Sequence, residues 1–236
     1  MKRALVLVAL LLAGCSTAAA GKVVTVFAAA SLTESFTALE SAFERANPGV
    51  DVRLNFAASS ALAQQIANGA AADVFASADE RTMTKVTADS RVFATNRLTI
   101  AVPPGNPGRV RTLSDLPEVV TVVCAPQVPC GNATAKALAA AGVTLRPASE
   151  EQDVKAVLTK VVAGEADAGL VYVTDARSAS GKVESIDFPE SAAAVNRYPI
   201  TVLPDAPSPD LAQRFVDLVL GPEGQAEFAR LGFGKP

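Results

Sequence analysis

Two stretches of this sequence put hydroxyls at the point where a strand hands over to a helix: "VFAAASLTES" (26–35) and "FAASSALAQQI" (56–66). In each, an apolar run ends in small alanines and then in serine, Ser31 in the first and Ser59 with Ser60 in the second. The first amides of a helix lack intrahelical partners and sit at its positive end, so such a start favours an anion. Ser31 has a second reading, because Ser31 and Glu34 spell the S-x-x-E of a capping box. Three further stretches end or begin helices. "APQVPCGNATAKAL" frames Cys130 between Pro129 and Gly131, and "ASEEQDVKAVL" begins another helix. "AGLVYVTDA" ends an apolar strand at Tyr172, whose hydroxyl also suits a wet core edge. In the second of these, Glu150, Glu151 and Asp153 fit the positive end of the helix.

Other chemistry is missing from the chain. It has no histidine, so the usual base of Ser/His and Cys/His catalysis and the commonest metal ligand are absent. No Ser-x-x-Lys, Gly-x-Ser-x-Gly, Walker-type or Gly-x-Gly-x-x-Gly motif occurs. These absences lower the odds of an enzyme, although carboxylate pairs remain open and no pair stands out; no catalytic activity, cofactor or cationic metal site is expected. An acidic balance, net charge −3, gives nucleic acid nothing to hold.

The elements that must position these residues read as alternating strands and helices. Strand-like runs "KVVTVFA", "VDVRLNF", "ADVFAS", "RLTIAVP", "VVTVVCA" and "ADAGLVYV" are separated by alanine-rich helical segments, which predicts α/β architecture with parallel sheets and crossover helices. Leu32, Phe36, Leu39 and Phe43 form one apolar stripe on the first helix. Helices are predicted near 131–141 and 151–163. The cluster "PPGNPG" (103–108) marks a loop or domain edge, with a second unit following it.

The N-terminus, "MKRALVLVALLLAGCS", has a cationic start and an apolar run too short to span a membrane comfortably. Its "LAGC" resembles the lipobox of bacterial lipoproteins, which implies a signal peptide over 1–14, a lipid on Cys15 and a tether over 15–21. An ordinary export signal cut within "STAAAG" is the alternative. Loss of Lys2 and Arg3 takes the net charge to near −5. With Cys15 lipidated, Cys124 and Cys130 remain as an even pair in an oxidising compartment, so a disulfide is expected.

Taken together, "VFAAASLT", "FAASSALAQQI", "ADVFASAD", "VPCG", "EEQDV", "GLVYVTDA" and "GPEGQAEF" resemble the periplasmic molybdate-binding proteins of ABC importers from about Lys22 to the C-terminus. The resemblance implies a two-lobed periplasmic binding protein fold of type II, with parallel-rich sheets flanked by helices and a ligand cleft between the lobes. One lobe is expected over 22–97 plus 199–236 and the other over 98–198. It implies a molybdate or tungstate oxyanion held by neutral donors: the hydroxyls of Ser31, Ser59 and Tyr172 and the amides of Cys130 and Val154. Ser60 is the alternative to Ser59. The position of Cys130 is more often alanine in the family, and Cys124 is also unusual there. Asp153 is expected to turn away from the anion. An ABC permease, attachment to the outer face of the membrane through the lipid or a periplasmic location, and a monomer complete the expectation. Rival readings are a receptor for another tetrahedral oxyanion such as sulfate, a carboxylate-based hydrolase, and a lipid-tethered interaction module.

Overall fold

The computed structural model describes residues 22–236. The expected signal peptide (1–14), lipidation at Cys15 and tether (15–21) lie outside the described residues. Lys22–Ala29 (β1), Thr33–Ala46 (α1), Val50–Ala57 (β2), Ser59–Ala67 (α2), Val74–Ala76 (β3), Glu80–Met83 (α3) and Arg91–Asn96 (β4) come first. Leu98–Val102 (β5), Thr121–Cys124 (β6), Pro129–Ala141 (α4), Ser149–Glu151 (β7), Val154–Val162 (α5), Ala168–Tyr172 (β8), Val173–Ser178 (α6) and Glu184–Ile186 (β9) follow. The chain closes with Asn196–Val202 (β10), Pro209–Leu220 (α7) and Pro222–Leu231 (α8).

Two five-stranded sheets result, ordered β2-β1-β3-β10-β4 and β7-β6-β8-β5-β9, in the two-lobed type II binding protein fold. In the first, β1 pairs parallel with β2 and β3, while β10 runs antiparallel to β3 and β4. In the second, β6 pairs parallel with β7 and β8, while β5 runs antiparallel to β8 and β9. Only Arg97 separates β4 in one sheet from β5 in the other, so the chain crosses between them there.

The return crossing is earlier than the sequence suggests. Residues 196–198, expected at the end of the second lobe, ladder with β4 of the first sheet, Asn196 opposite Asn96 and Tyr198 opposite Ala94. Pro199 reads as a break in the sequence, but the register shifts between Tyr198 and Pro199, and a bulge is where a strand tolerates proline. Helix α1 buries Phe36, Leu39 and Phe43 against the first sheet, and α7 adds Phe215 to the same cluster. The second core is mostly small aliphatics from β5, β6, β8 and α5. The predicted helix at 151–163 starts later, at Val154, because Ser149–Glu151 form β7 and pair with β6. Glu150 and Glu151 are therefore strand residues and not first-turn residues. The Glu151 carboxylate instead accepts from Ser149 Oγ and pairs with Lys160 at 2.6 Å.

Candidate functional site

The carboxyl ends of β1, β2, β6 and β8 face one cavity, and the helices that follow begin on its wall, as α/β sheets favour for ligands. It is narrow, with room for the centre of a water-sized sphere over about 20 Å³, and it opens to solvent. Ser31, Ser59, Cys130, Val154 and Tyr172 all line it, so residues spread over 142 positions of sequence share one wall-to-wall space. The remaining lining is alanine, valine and proline apart from Asp153, and no cationic side chain is present in it.

Side-chain caps are missing from several helix starts on this cavity, as they are at α7 and α8 away from it. The starts of α1, α2 and α4, at Leu32, Ala58 and Val128, have no side-chain cap. Away from it, Asp79 caps α3 through Thr82 N–H, and Thr112 with Asp115 forms a full capping box. The orphan amides left uncapped there take their acceptors from elsewhere, a ligand or water. At α5, Asp153 Oδ1 accepts from Ala156 N–H at 3.0 Å, which leaves the first amide, that of Val154, without a side-chain acceptor. The Asp153 carboxylate is thus directed to its own helix.

Ser31 does not form the capping box that its spacing with Glu34 allows. A 3₁₀ turn, Ala30–Leu32, precedes α1, and the Ser31 hydroxyl instead lies 2.9 Å from the Tyr198 hydroxyl. Glu34 reaches the other way, taking two hydrogen bonds from Lys155 Nζ at 2.7 and 2.9 Å. Ser59, 1% exposed, accepts from the Ala78 amide at 2.9 Å, so its oxygen is occupied and its hydrogen is free for the cavity. Ser60 is half-buried and does not line the space.

Cys124 and Cys130 are joined by a disulfide, with Cα atoms 5.7 Å apart. It ties the end of β6 to the first turn of α4. Gly131, next to it, is fixed by close approach: a Cβ there would lie 1.9 Å from the Ala125 carbonyl oxygen. The backbone of this turn is therefore held on both sides of the Cys130 amide.

Tyr172 is 1% exposed, lines the cavity, and its hydroxyl has no hydrogen-bond partner in the chain. Burial pushes its phenol far above the usual tyrosine range, so it remains a donor. An unpartnered buried hydroxyl costs about 1–3 kcal/mol unless something fills it, and this one sits on the cavity wall. Below it, the Asp175 carboxylate accepts from Tyr172 N–H at 3.3 Å and is fully buried. Burial raises Asp175 to about 6 despite Lys155 Nζ standing 3.1 Å from Oδ1. Burial pulls Lys155 down, but the carboxylates of Asp175 and Glu34 outweigh it and leave its pKa above the usual lysine value.

Sequence reasoning missed this second layer: Tyr198, Asp175, and the pair Lys155–Glu34 that joins α5 to α1. Asp175 had a signal, since it stands three residues after Tyr172, at the spacing from which a carboxylate reaches back to the N-cap amide, and it does so. Among the described residues, no group of three or more His, Cys, Asp or Glu is placed to hold a metal ion, and no helix is long and apolar enough to cross a membrane.

Two mixed sheets with a small donor-walled cavity at their strand ends define a two-lobed binding protein for a compact ligand. The chain belongs to the bacterial extracellular solute-binding proteins, whose family profile matches residues 24–234. The molybdate-binding protein ModA of Mycobacterium tuberculosis is 47% identical over 221 residues, covering 90% of this chain and 85% of the relative. That of Escherichia coli is 33% identical, covering 94% and 92%. Among solved structures, the periplasmic molybdate-binding protein of Azotobacter vinelandii superposes with a TM-score of 0.77 at 21% identity, covering 90% of this chain and 99% of that one. The sulfate-binding protein SubI of M. tuberculosis gives 0.77 at 20%, covering 90% and 86%. At those identities the two structures speak for the fold alone.

Proposed function

We propose that this protein captures molybdate, and equally tungstate, outside the cytoplasmic membrane and delivers it to an ABC permease. The observation that carries the reading is the cavity that the starts of α1, α2 and α4 meet without a side-chain cap, where the buried Tyr172 hydroxyl lacks a partner and no cationic side chain lines the wall. An oxyanion supplies the acceptors these donors lack, and hydrogen bonds to a charged group contribute about 1.5–3 kcal/mol each. Ser31, Ser59 and Tyr172 donate hydroxyls; Cys130 and Val154 donate amides. The names of the mycobacterial and E. coli relatives support molybdate as the anion.

The carboxylate-hydrolase reading gains no support, because the one carboxylate on the cavity wall is committed to capping α5. The two lobes, 22–97 with the C-terminal segment and the residues between, close over the ligand about the crossings at Arg97 and next to Val195. The protein works as a monomer, held to the membrane by two or more acyl chains on Cys15, since one chain alone binds only marginally. A Cys15→Ala chain should remain unprocessed or be released; a wild-type N-terminus without lipid mass refutes the anchor.

Sulfate is the second reading, favoured by the shared fold with SubI and by the fact that donors alone admit any deprotonated dianion. Pocket size separates the two, because the shorter bonds of sulfate leave some donors unreached. Calorimetry against molybdate and sulfate decides between them.

A further inference from the structure

The Ser31 hydroxyl is placed less firmly than that of Ser59. The Ser59 oxygen receives a backbone N–H, which can only donate, so the Ser59 hydrogen must go elsewhere. The Ser31 oxygen faces another hydroxyl, that of Tyr198, and either group can be the donor. Which one donates decides whether Ser31 offers the cavity a hydrogen or a lone pair.

Tyr198 is fully buried on β10, and its ring meets Phe93, Tyr172 and Phe233 edge-on, with centroids 6.2, 6.2 and 5.6 Å away. Phe93 and Phe233 offer its hydrogen no conventional acceptor, and the Tyr172 hydroxyl, the one polar atom among these rings, stands outside hydrogen-bond geometry with it. The Asn96 side-chain amide, which donates to Thr174 Oγ1 at 2.8 Å, also stands within reach as a donor to the phenol oxygen. Burial holds the phenol far above its ordinary pKa, so the hydrogen stays on. The Ser31 oxygen at 2.9 Å is the acceptor that this hydrogen has.

We propose that Tyr198 is a positioning and specificity-determining residue: it donates into Ser31 Oγ, commits the Ser31 hydrogen to the bound anion, and so makes the site refuse oxyanions that carry a proton. The inference rests on the oxyanion reading above and deepens it. With Tyr198 in place, both serine oxygens already accept a hydrogen bond from behind, Ser59 from Ala78 and Ser31 from Tyr198, which turns their hydrogens toward the anion. A protonated anion such as hydrogen phosphate then meets the serine hydroxyls as donors, and neither turns an acceptor toward its own hydrogen. Without the phenol hydroxyl, Ser31 is free to turn its lone pair inward and accept that hydrogen.

Tyr198→Phe keeps the ring and its aromatic neighbours while removing the hydroxyl. Two measurements test the proposal. Competition against molybdate at pH 8 gives the sulfate-over-phosphate preference, which compares two dianions of similar shape that differ by one proton. The preference should fall about 3- to 10-fold in Tyr198→Phe, the worth of one ordinary hydrogen bond. A merely structural role weakens both anions alike, and an unchanged ratio overturns the proposal. Second, Tyr198→Phe should weaken molybdate about 3- to 10-fold in the wild-type background and less than about twofold in Ser31→Ala, because the two act through one hydroxyl. Effects that multiply independently also overturn it. A wild type that takes up none of these anions refutes the oxyanion reading itself, and this inference with it.

Discussion

Replacing Ser59 with alanine removes two things that can be measured separately. The Ser59 oxygen accepts the Ala78 amide at 2.9 Å in a site 1% exposed, so the variant leaves a buried N–H without its acceptor. That costs about 1–3 kcal/mol of folding stability whether or not a ligand is present. The hydroxyl hydrogen, directed to the cavity, is lost as a donor to the anion, at about 1.5–3 kcal/mol for a bond to a charged group. The second loss corresponds to about 10- to 150-fold in affinity. Calorimetry with molybdate reads the affinity, and urea unfolding of the ligand-free protein reads the stability. Ser60→Ala is the control: Ser60 is half-buried and lies off the cavity wall, so affinity should change less than about twofold. If Ser59→Ala binds molybdate within twofold of wild type, or Ser60→Ala is the weaker binder, the assignment of the second serine is wrong.

Gly131→Ala should destabilise the fold by about 1–3 kcal/mol or more and weaken anion binding, because its Cβ meets the Ala125 carbonyl and displaces the Cys130 amide; urea melts and calorimetry check both. Reducing Cys124–Cys130, which closes a loop of sequence separation 6, should cost about 2 kcal/mol of stability; thiol titration of the unfolded, unreduced Cys15→Ala chain must find no free thiol. Asp175, raised to about 6 from 3.8, binds its proton more tightly when folded, so its contribution is present at low pH and is lost as pH rises from about 4 to 6. Asp175→Asn should therefore gain on wild type by about 3 kcal/mol between pH 4 and pH 7 in urea melts, and a pH-independent difference contradicts the shift. Glu34→Gln breaks the partly exposed bond between α1 and α5, worth little by itself at the surface, and should speed molybdate release about 2- to 5-fold at low salt and less at high salt.

The sequence carried the cavity's first layer because helix starts are local. Small residues, serine and a turn former announce where a strand ends and exposed amides begin, and the same signal recurs at Ser31, Ser59, Cys130 and Val154. Their convergence on one space was legible only through the alternation of strands and helices, which fixes the carboxyl ends of parallel strands on one side. What the sequence hid depends on tertiary partners. Glu34 reads as a cap for Ser31 but pairs with Lys155, 121 positions away, because a 3₁₀ turn moves the start of α1. Tyr198 sits beside a proline that hides a strand, and nothing local ties it to Ser31, 167 positions earlier. Glu150 and Glu151 favour a helix start by charge, yet β6 offers an open edge and takes them as β7.

The central claim, a cation-free cavity whose hydroxyl and amide donors suit a large tetrahedral dianion, is tested most directly by calorimetry of the Cys15→Ala chain with molybdate, tungstate, sulfate and phosphate at one pH and ionic strength. Two or three donors left unpaired by a smaller anion, at about 1–3 kcal/mol each, suffice for rejection by more than tenfold. Molybdate and tungstate should bind tightly and about equally, with sulfate and phosphate weaker by far more than tenfold. Sulfate within tenfold of molybdate contradicts the account and makes the protein a sulfate receptor instead.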